Sequence, residues 1–183
     1  MIALKDLFLE VNKTQYTIYC DMDGVLCDFD GRFEFYTGMS FDDYKIKYGD
    51  KKAYDKISEI GENYWSNMKW EKNGKELWNI IKIHNPYILS SPGYFTGAKE
   101  GKLKWIKKNL GIPESRVIFK QSKDKKDASG KNQVLIDDLP SNISDWKSAG
   151  GIGVKYNSSS PESAYKKLEE LGLYERDITK KGV

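Results

Sequence analysis

Residues 15–24 read QYTIYCDMDG, and this stretch decides the fold. Its first six residues are mostly β-branched or aromatic, the composition of a strand buried on both faces. Asp21 and Asp23 follow at once, and Gly24 permits the tight turn that lets both carboxylates face one cavity. Open parallel sheets place their sites beyond the carboxyl ends of their strands, so a strand ending in paired carboxylates marks one side of such a crevice.

Working outward, further short apolar runs carry similar punctuation. PYILS at 86–90 runs into Ser90-Ser91-Pro92, and VLI at 134–136 runs into Asp137-Asp138. Residues 116–120 and 152–155 read as two more strands. Helical spacing lies between them. Leu103, Ile106 and Leu110 point inward from a helix over 99–110 that Gly111 and Pro113 stop, and Ile143 and Trp146 do the same after Pro140. A last amphipathic helix covers 161–171. Strands alternating with helices predict an α/β fold, a mostly parallel sheet covered on both faces.

Residues 29–84 break this alternation. Their pattern is helical throughout, with breaks at Gly38-Met39-Ser40, Gly49-Asp50, Gly61 and Asn73-Gly74, which predicts roughly four short helices and no strand. The segment is too long for an ordinary crossover and reads as a helical cap over the sheet's carboxyl edge. The core is then 15–28 with 85–175. Residues 1–14, with Leu4, Leu7, Phe8 and Val11 at helical spacing, read as a helix packed on that core.

Composition excludes several classes. A chain of 183 residues suits one domain with a small insertion. Its 30 Lys+Arg against 27 Asp+Glu is too balanced for a stable nucleic-acid partner. No apolar run is long enough for a membrane helix. The single histidine, His84, excludes a His-rich zinc site and reads as a hinge or surface residue, so proton transfer falls to carboxylates or lysine. Cys20 and Cys27 fit neither a zinc knuckle nor a disulfide scaffold, and no signal-like leader precedes them, which points to the cytoplasm.

Chemistry gathers in four places: Asp21 with Asp23, Ser90 with Ser91, the lysines of 123–126, and Asp137 with Asp138. Taken singly, these read as turns, caps or a solvated face. Taken together at strand ends, they bring carboxylates to one edge, where they repel unless a cation sits among them.

DMDGVL, ILSSP, a downstream lysine and LIDD, in that order, resemble the four motifs of the haloacid dehalogenase superfamily of phosphohydrolases. DMDGVLCDF with a helical segment after it, SSP, and IDD followed by a tryptophan and Gly-Gly are similar to a narrower group. That group is the 5'(3')-deoxyribonucleotidases with their bacterial and phage relatives, the 5'-nucleotidase type C group. The resemblance spans 15–156 and implies a Rossmann-like three-layer sandwich with Asp21 as nucleophile and Asp23 as acid and base. It implies Mg2+ held by Asp21, the main-chain carbonyl of Asp23, and Asp138, with Asp137 the less direct ligand. Ser90 and the Ser91 N–H would bind phosphate, and Lys102 would lie near it. The charge-cancelling lysine is assigned to Lys126, eleven residues before Asp137, with Lys123, Lys125 and Lys131 as competitors. Phe29, Trp65 and Trp70 would form the wall for a nucleobase, while Trp78 reads as core. Two positions depart from the group: Ser90 stands where threonine is frequent, and Leu139 where vertebrate relatives carry arginine.

The function implied is a magnesium-dependent phosphomonoesterase, a 5'-nucleotidase acting on nucleoside monophosphates. The alternatives are another small phosphate ester or a nucleic-acid 3'-phosphate end as substrate, or a non-catalytic phosphate-binding module. The expected partner is a small-molecule phosphate ester, with the chain a monomer or homodimer.

Overall fold

The computed structural model describes residues 15–176; the helix expected over 1–14 lies outside them. Five parallel strands form one sheet: β1 (Thr17–Cys20), β2 (Tyr87–Ser90), β3 (Val117–Phe119), β4 (Gln133–Asp137) and β5 (Ile152–Lys155). Their order across the sheet is β3-β2-β1-β4-β5. The chain leaves β1 toward β2 on one side and later returns to β4 on the other, so β1 and β4 flank the topological switch where such sheets open a crevice. Register sets what meets there. Cys20 pairs with Ile136, and the Asp21 N–H extends the ladder to the Ile136 carbonyl at 2.9 Å. Asp21 and Asp137 therefore leave the sheet side by side.

Strand alternation builds two cores. Ile18, Cys20, Ile88, Val134, Ile136 and Val154 face one side and pack with Trp105, Ile106 and Leu168. Those partners come from the helices at Ala98–Asn109 and Glu162–Glu170. Tyr19, Leu89 and Leu135 face the other side against Ile143 and Trp146, from the helix Pro140–Ser148. Fully burying a large apolar side chain contributes about 1.5–3 kcal/mol. A period of two that sends apolar residues both ways is what fixes the central strands.

Between β1 and β2 the structure has five helices rather than the expected four: α1 (Phe29–Thr37), α2 (Phe41–Tyr48), α3 (Asp50–Ile60), α4 (Glu62–Ser66) and α5 (Gly74–Ile81). The four breaks divide the segment into five pieces, and α4 ends early, short of the break at Asn73-Gly74, at Asn67. Beyond it, the Asp28 N–H bonds the Lys69 carbonyl at 3.0 Å and the Glu71 N–H bonds the Leu26 carbonyl at 2.9 Å. This short pairing ties the end of the first motif to the helical segment. α6 (Ala98–Asn109), α7 (Pro140–Ser148) and α8 (Glu162–Glu170) complete the sandwich.

The helical segment seats on α6. A Cβ at Gly97 would stand 2.5 Å from the Glu62 nitrogen, and one at Gly101 would stand 2.6 Å from both the Glu62 carbonyl oxygen and the Trp65 Cβ. Gly97 also has φ +73°, which disfavours any side chain. The Trp105 indole donates to the Met68 carbonyl at 2.8 Å and the Tyr64 hydroxyl to the Phe29 carbonyl at 2.7 Å. Among the described residues, no helix is long and apolar enough to cross a membrane.

Candidate active site

The floor of the site is the turn after β1. The Met22 carbonyl accepts from the N–H groups of Leu26 and Cys27, both at 2.8 Å, and the Gly24 N–H donates to the Cys27 carbonyl at 2.9 Å. Gly24 has φ +71°, and a Cβ there would lie 2.6 Å from Asp138 Oδ2. Glycine is thus required twice, for the turn and for the approach of a carboxylate.

Asp21, Asp137 and Asp138 each bring a carboxylate oxygen to within 4.8 Å of the others. Asp137 is fully buried and its acceptors are spent. Oδ1 takes the Leu139 N–H at 2.9 Å and Asn142 Nδ2 at 3.0 Å, while Oδ2 takes Lys125 Nζ at 2.7 Å and Asn142 Nδ2 at 2.9 Å. Asp138 and Asp21 instead line the cavity. Burial, with the charges of Asp21 and Asp137 beside it, pushes the Asp138 carboxyl up to about 7. Burial and Asp21 likewise raise Asp137. Hard oxygen donors crowded this way, one of them held in a cradle that a Cβ would fill, fit a divalent cation, with Asp21 and Asp138 free to ligate and Asp137 orienting from behind.

The lysine of the site is Lys125, and the assignment to Lys126 is corrected. Lys125 is 2% exposed and its Nζ lies 2.9 Å from Asp21 Oδ1 and 2.7 Å from Asp137 Oδ2. Burial alone would pull this ammonium down, but the two carboxylates hold it above its ordinary value. Lys126 is exposed. The run Ser122–Ala128 is a 3-10 helix, where consecutive side chains diverge by about 120°, so one lysine faces in and its neighbour faces out.

Lys102 also departs from expectation. It is fully buried and does not line the cavity. Its Nζ donates to Asp23 Oδ2 at 2.5 Å, Ser90 Oγ at 2.8 Å and the Ser91 carbonyl at 2.7 Å, and lies 4.8 Å from the centre of the Trp65 ring. Three acceptors use its three protons, so it supports the site from beneath. Ser90 is fully buried with its hydroxyl on Lys102, and Ser91 is the serine at the cavity wall. Burial raises the Asp23 carboxyl, and Lys102 opposes the shift. Asp23 Oδ1 is buried with no hydrogen-bond partner although the residue lines the cavity.

The cavity holds about 370 Å³. Phe29 and Trp65 line it as expected, joined by Phe41, Tyr54 and Phe95. Trp70 does not; it packs on Trp105 with ring centres 4.9 Å apart. Trp78 lies in the core. His84 ends the helical segment, with Nε2 2.8 Å from the Leu173 carbonyl oxygen, away from the site. Cys20 and Cys27 are free and buried, and burial raises both thiols well above their ordinary range. Sequence reasoning missed Asn142, whose signal is a polar residue one helical turn beyond Asp138. It also missed Phe41, Tyr54 and Phe95, which carry no local signal.

Comparison with protein-family models finds no match, and comparison with curated proteins finds none. Solved structures do match. A phosphonoacetaldehyde hydrolase like protein from Oleispira antarctica aligns with a TM-score of 0.51 over 87% of this chain and 87% of its own, at 13% identity. The fold is haloacid dehalogenase-like. A HAD hydrolase, family IA, variant 3, from Entamoeba histolytica aligns with a TM-score of 0.48 over 85% of this chain and 88% of its own, at 17% identity. Identities this low make the likeness one of fold. On the haloacid dehalogenase-like sheet, the carboxylates, Lys125 and the aromatic cavity all lie at the carboxyl edge of β1 and β4.

Proposed function

We propose that the protein is a phosphomonoesterase acting on nucleoside monophosphates, with Asp21 as its nucleophile. The observation that carries the reading is Asp21 itself. It stands at the base of an aromatic-lined cavity, 6% exposed, with an ammonium 2.9 Å from Oδ1 and a partnerless carboxylate oxygen of Asp23 in the same cavity.

An Asp21 oxygen attacks phosphorus in line, the bond from phosphorus to the ester oxygen breaks, and Asp23 gives that oxygen its proton. Water then attacks the aspartyl-phosphate and loses its proton to Asp23, which frees inorganic phosphate and the Asp21 carboxylate. Lys125 holds Asp21 in place and, being in the cavity wall, can neutralise the transferring phosphoryl oxygens. Asp21 and Asp138 would hold Mg2+, which when bound offsets the charge between carboxylates and phosphate. The buried lysine beneath Asp23 keeps its other oxygen fixed while the partnerless one meets the ligand. Stacking of a base on the aromatic wall contributes about 1–3 kcal/mol.

The test is phosphate release from nucleoside monophosphates in magnesium by the protein and by Asp21→Asn. We expect turnover to fall by about three orders of magnitude or more with the fold unchanged by circular dichroism. Turnover retained by Asp21→Asn removes the covalent mechanism, and release from no nucleotide removes the substrate class.

A further inference from the structure

Two cavity-lining carboxylates have no part in that chemistry. Asp30, in the first turn of α1, and Glu71, in the strip paired with Leu26, both line the cavity that opens on Asp21 and Asp138. Among the described residues, neither forms an ion pair. Glu71 Oε1 accepts its neighbour's N–H, that of Lys72, at 2.9 Å, which restrains the side chain in the cavity wall. The same cavity has an unspent donor in its wall. Trp65 is 1% exposed, and its indole N–H is buried with no hydrogen-bond partner. The rings of Phe29, Phe41 and Phe95 stand within 6 Å of one another or of Trp65 along this wall.

These groups state a chemical requirement. Ionised carboxylates only accept hydrogen bonds, and an indole N–H only donates. A ligand that satisfies both while lying flat on aromatic rings is a planar heterocycle carrying amino protons and a ring-nitrogen or carbonyl acceptor. Resting on Asp21 as the phosphoryl acceptor, we infer that the leaving group is a nucleoside whose base bears an exocyclic amino group, and that the substrate carries a single phosphate. Cytosine, adenine and guanine offer the amino donor to Asp30 or Glu71. Thymine and uracil present a carbonyl oxygen at the corresponding edge, which a carboxylate repels. A second phosphate, as in a bisphosphate or a polynucleotide end, adds negative charge to a cavity that already holds Asp30 and Glu71. The same two residues therefore select for the base and against nucleic acid.

The experiment uses the full chain with magnesium. It compares kcat/KM for dCMP, dAMP and dGMP with dTMP and dUMP, and includes p-nitrophenyl phosphate, a 3',5'-bisphosphate and phosphocholine. Binding of the same nucleotides is measured in parallel by calorimetry, so that base preference is read whether or not turnover occurs. The amino bases should be favoured by about tenfold, the discrimination of one hydrogen bond to a charged acceptor. The paired substitution Asp30→Asn with Glu71→Gln should bring the amino-to-keto ratio toward one, a change that loss of folding alone does not produce. Equal or better use of dTMP and dUMP, a ratio untouched by the pair, preference for the bisphosphate, or phosphocholine outrunning every nucleotide overturns the inference. Phosphate released from p-nitrophenyl phosphate without base preference leaves Asp21 chemistry standing and removes only the specificity. Absence of release from every ester removes the phosphatase reading, with calorimetry still ranking the bases.

Discussion

Lys125 and Lys102 are both buried and each grips one member of the Asp21–Asp23 pair, yet their surroundings differ. Lys102 meets one carboxylate, one hydroxyl and one carbonyl, so its three protons are used and its charge is matched. Lys125 meets two carboxylates, Asp21 and Asp137, with the raised carboxyl of Asp138 beside them, and one edge of it faces the cavity. The first arrangement is closed and the second is open. An open ammonium can exchange partners with an incoming anion, whereas a closed one can only hold its aspartate still. The proposed nucleophile, Asp21, thus sits beside an ammonium still open to the cavity, and the proposed acid and base, Asp23, on one whose protons are all used.

The largest effect that sharpens this comparison is on folding. Lys125→Met leaves Asp21 and Asp137 buried without their cation and should cost about 3–5 kcal/mol in urea unfolding at neutral pH. Less loss than in Lys102→Met would break the contrast. Lys102→Met should cost less, about 2 kcal/mol, because Asp23 keeps a side chain 27% exposed toward the cavity. It carries a signature of its own. Without the ammonium that opposes burial, the Asp23 carboxyl rises further, so the alkaline limb of the kcat/KM profile, where a general acid loses its proton, should move to higher pH. A limb that stays in place would deny Lys102 its hold on Asp23.

The smallest effect concerns metal and pH together. The Asp138 carboxyl lies near 7 in the fold against 3.8 in the unfolded chain. Between those values the folded state binds more protons, so stability without metal falls as pH rises through that window and levels off above it. A cation between Asp21 and Asp138 displaces that proton. The rise in Tm on adding magnesium should therefore be larger at pH 8 than at pH 5.5, measured by differential scanning fluorimetry. An equal rise at both pH values would place the cation elsewhere.

The parts of the fold that could be read from sequence were those where a chemical residue follows a strand without interruption. QYTIYC running into Asp21 and VLI running into Asp137 fix both the strand and the end on which the carboxylates stand. Which lysine of KDKK turns inward could not be read, because a single 3-10 stretch has no apolar stripe to orient it. Resemblance alone sets Lys102 near the phosphate, since nothing in AKEGKLKWIKKN marks it as buried; its burial comes with α4, some forty residues earlier in the chain, packed against α6. Trp65 and Trp70 lie on one strip and were indistinguishable by composition. The aromatic wall draws on α1, α2, α3, α4 and the loop before α6, a convergence that only the packed chain makes.

That packing passes through two positions defined by what they lack. Gly97 and Gly101 present no side chain to Glu62 and Trp65, so the seam between the sheet layer and the helical segment is made in part of main-chain atoms. Elsewhere in the interior, a larger residue can be offset by a smaller neighbour; against backbone, no neighbour can shrink. Exchange of an aromatic residue in the cavity wall can leave this seam intact, whereas a side chain at either glycine must part the two helices. What the cavity accepts and how the two parts are joined thus rest on different atoms.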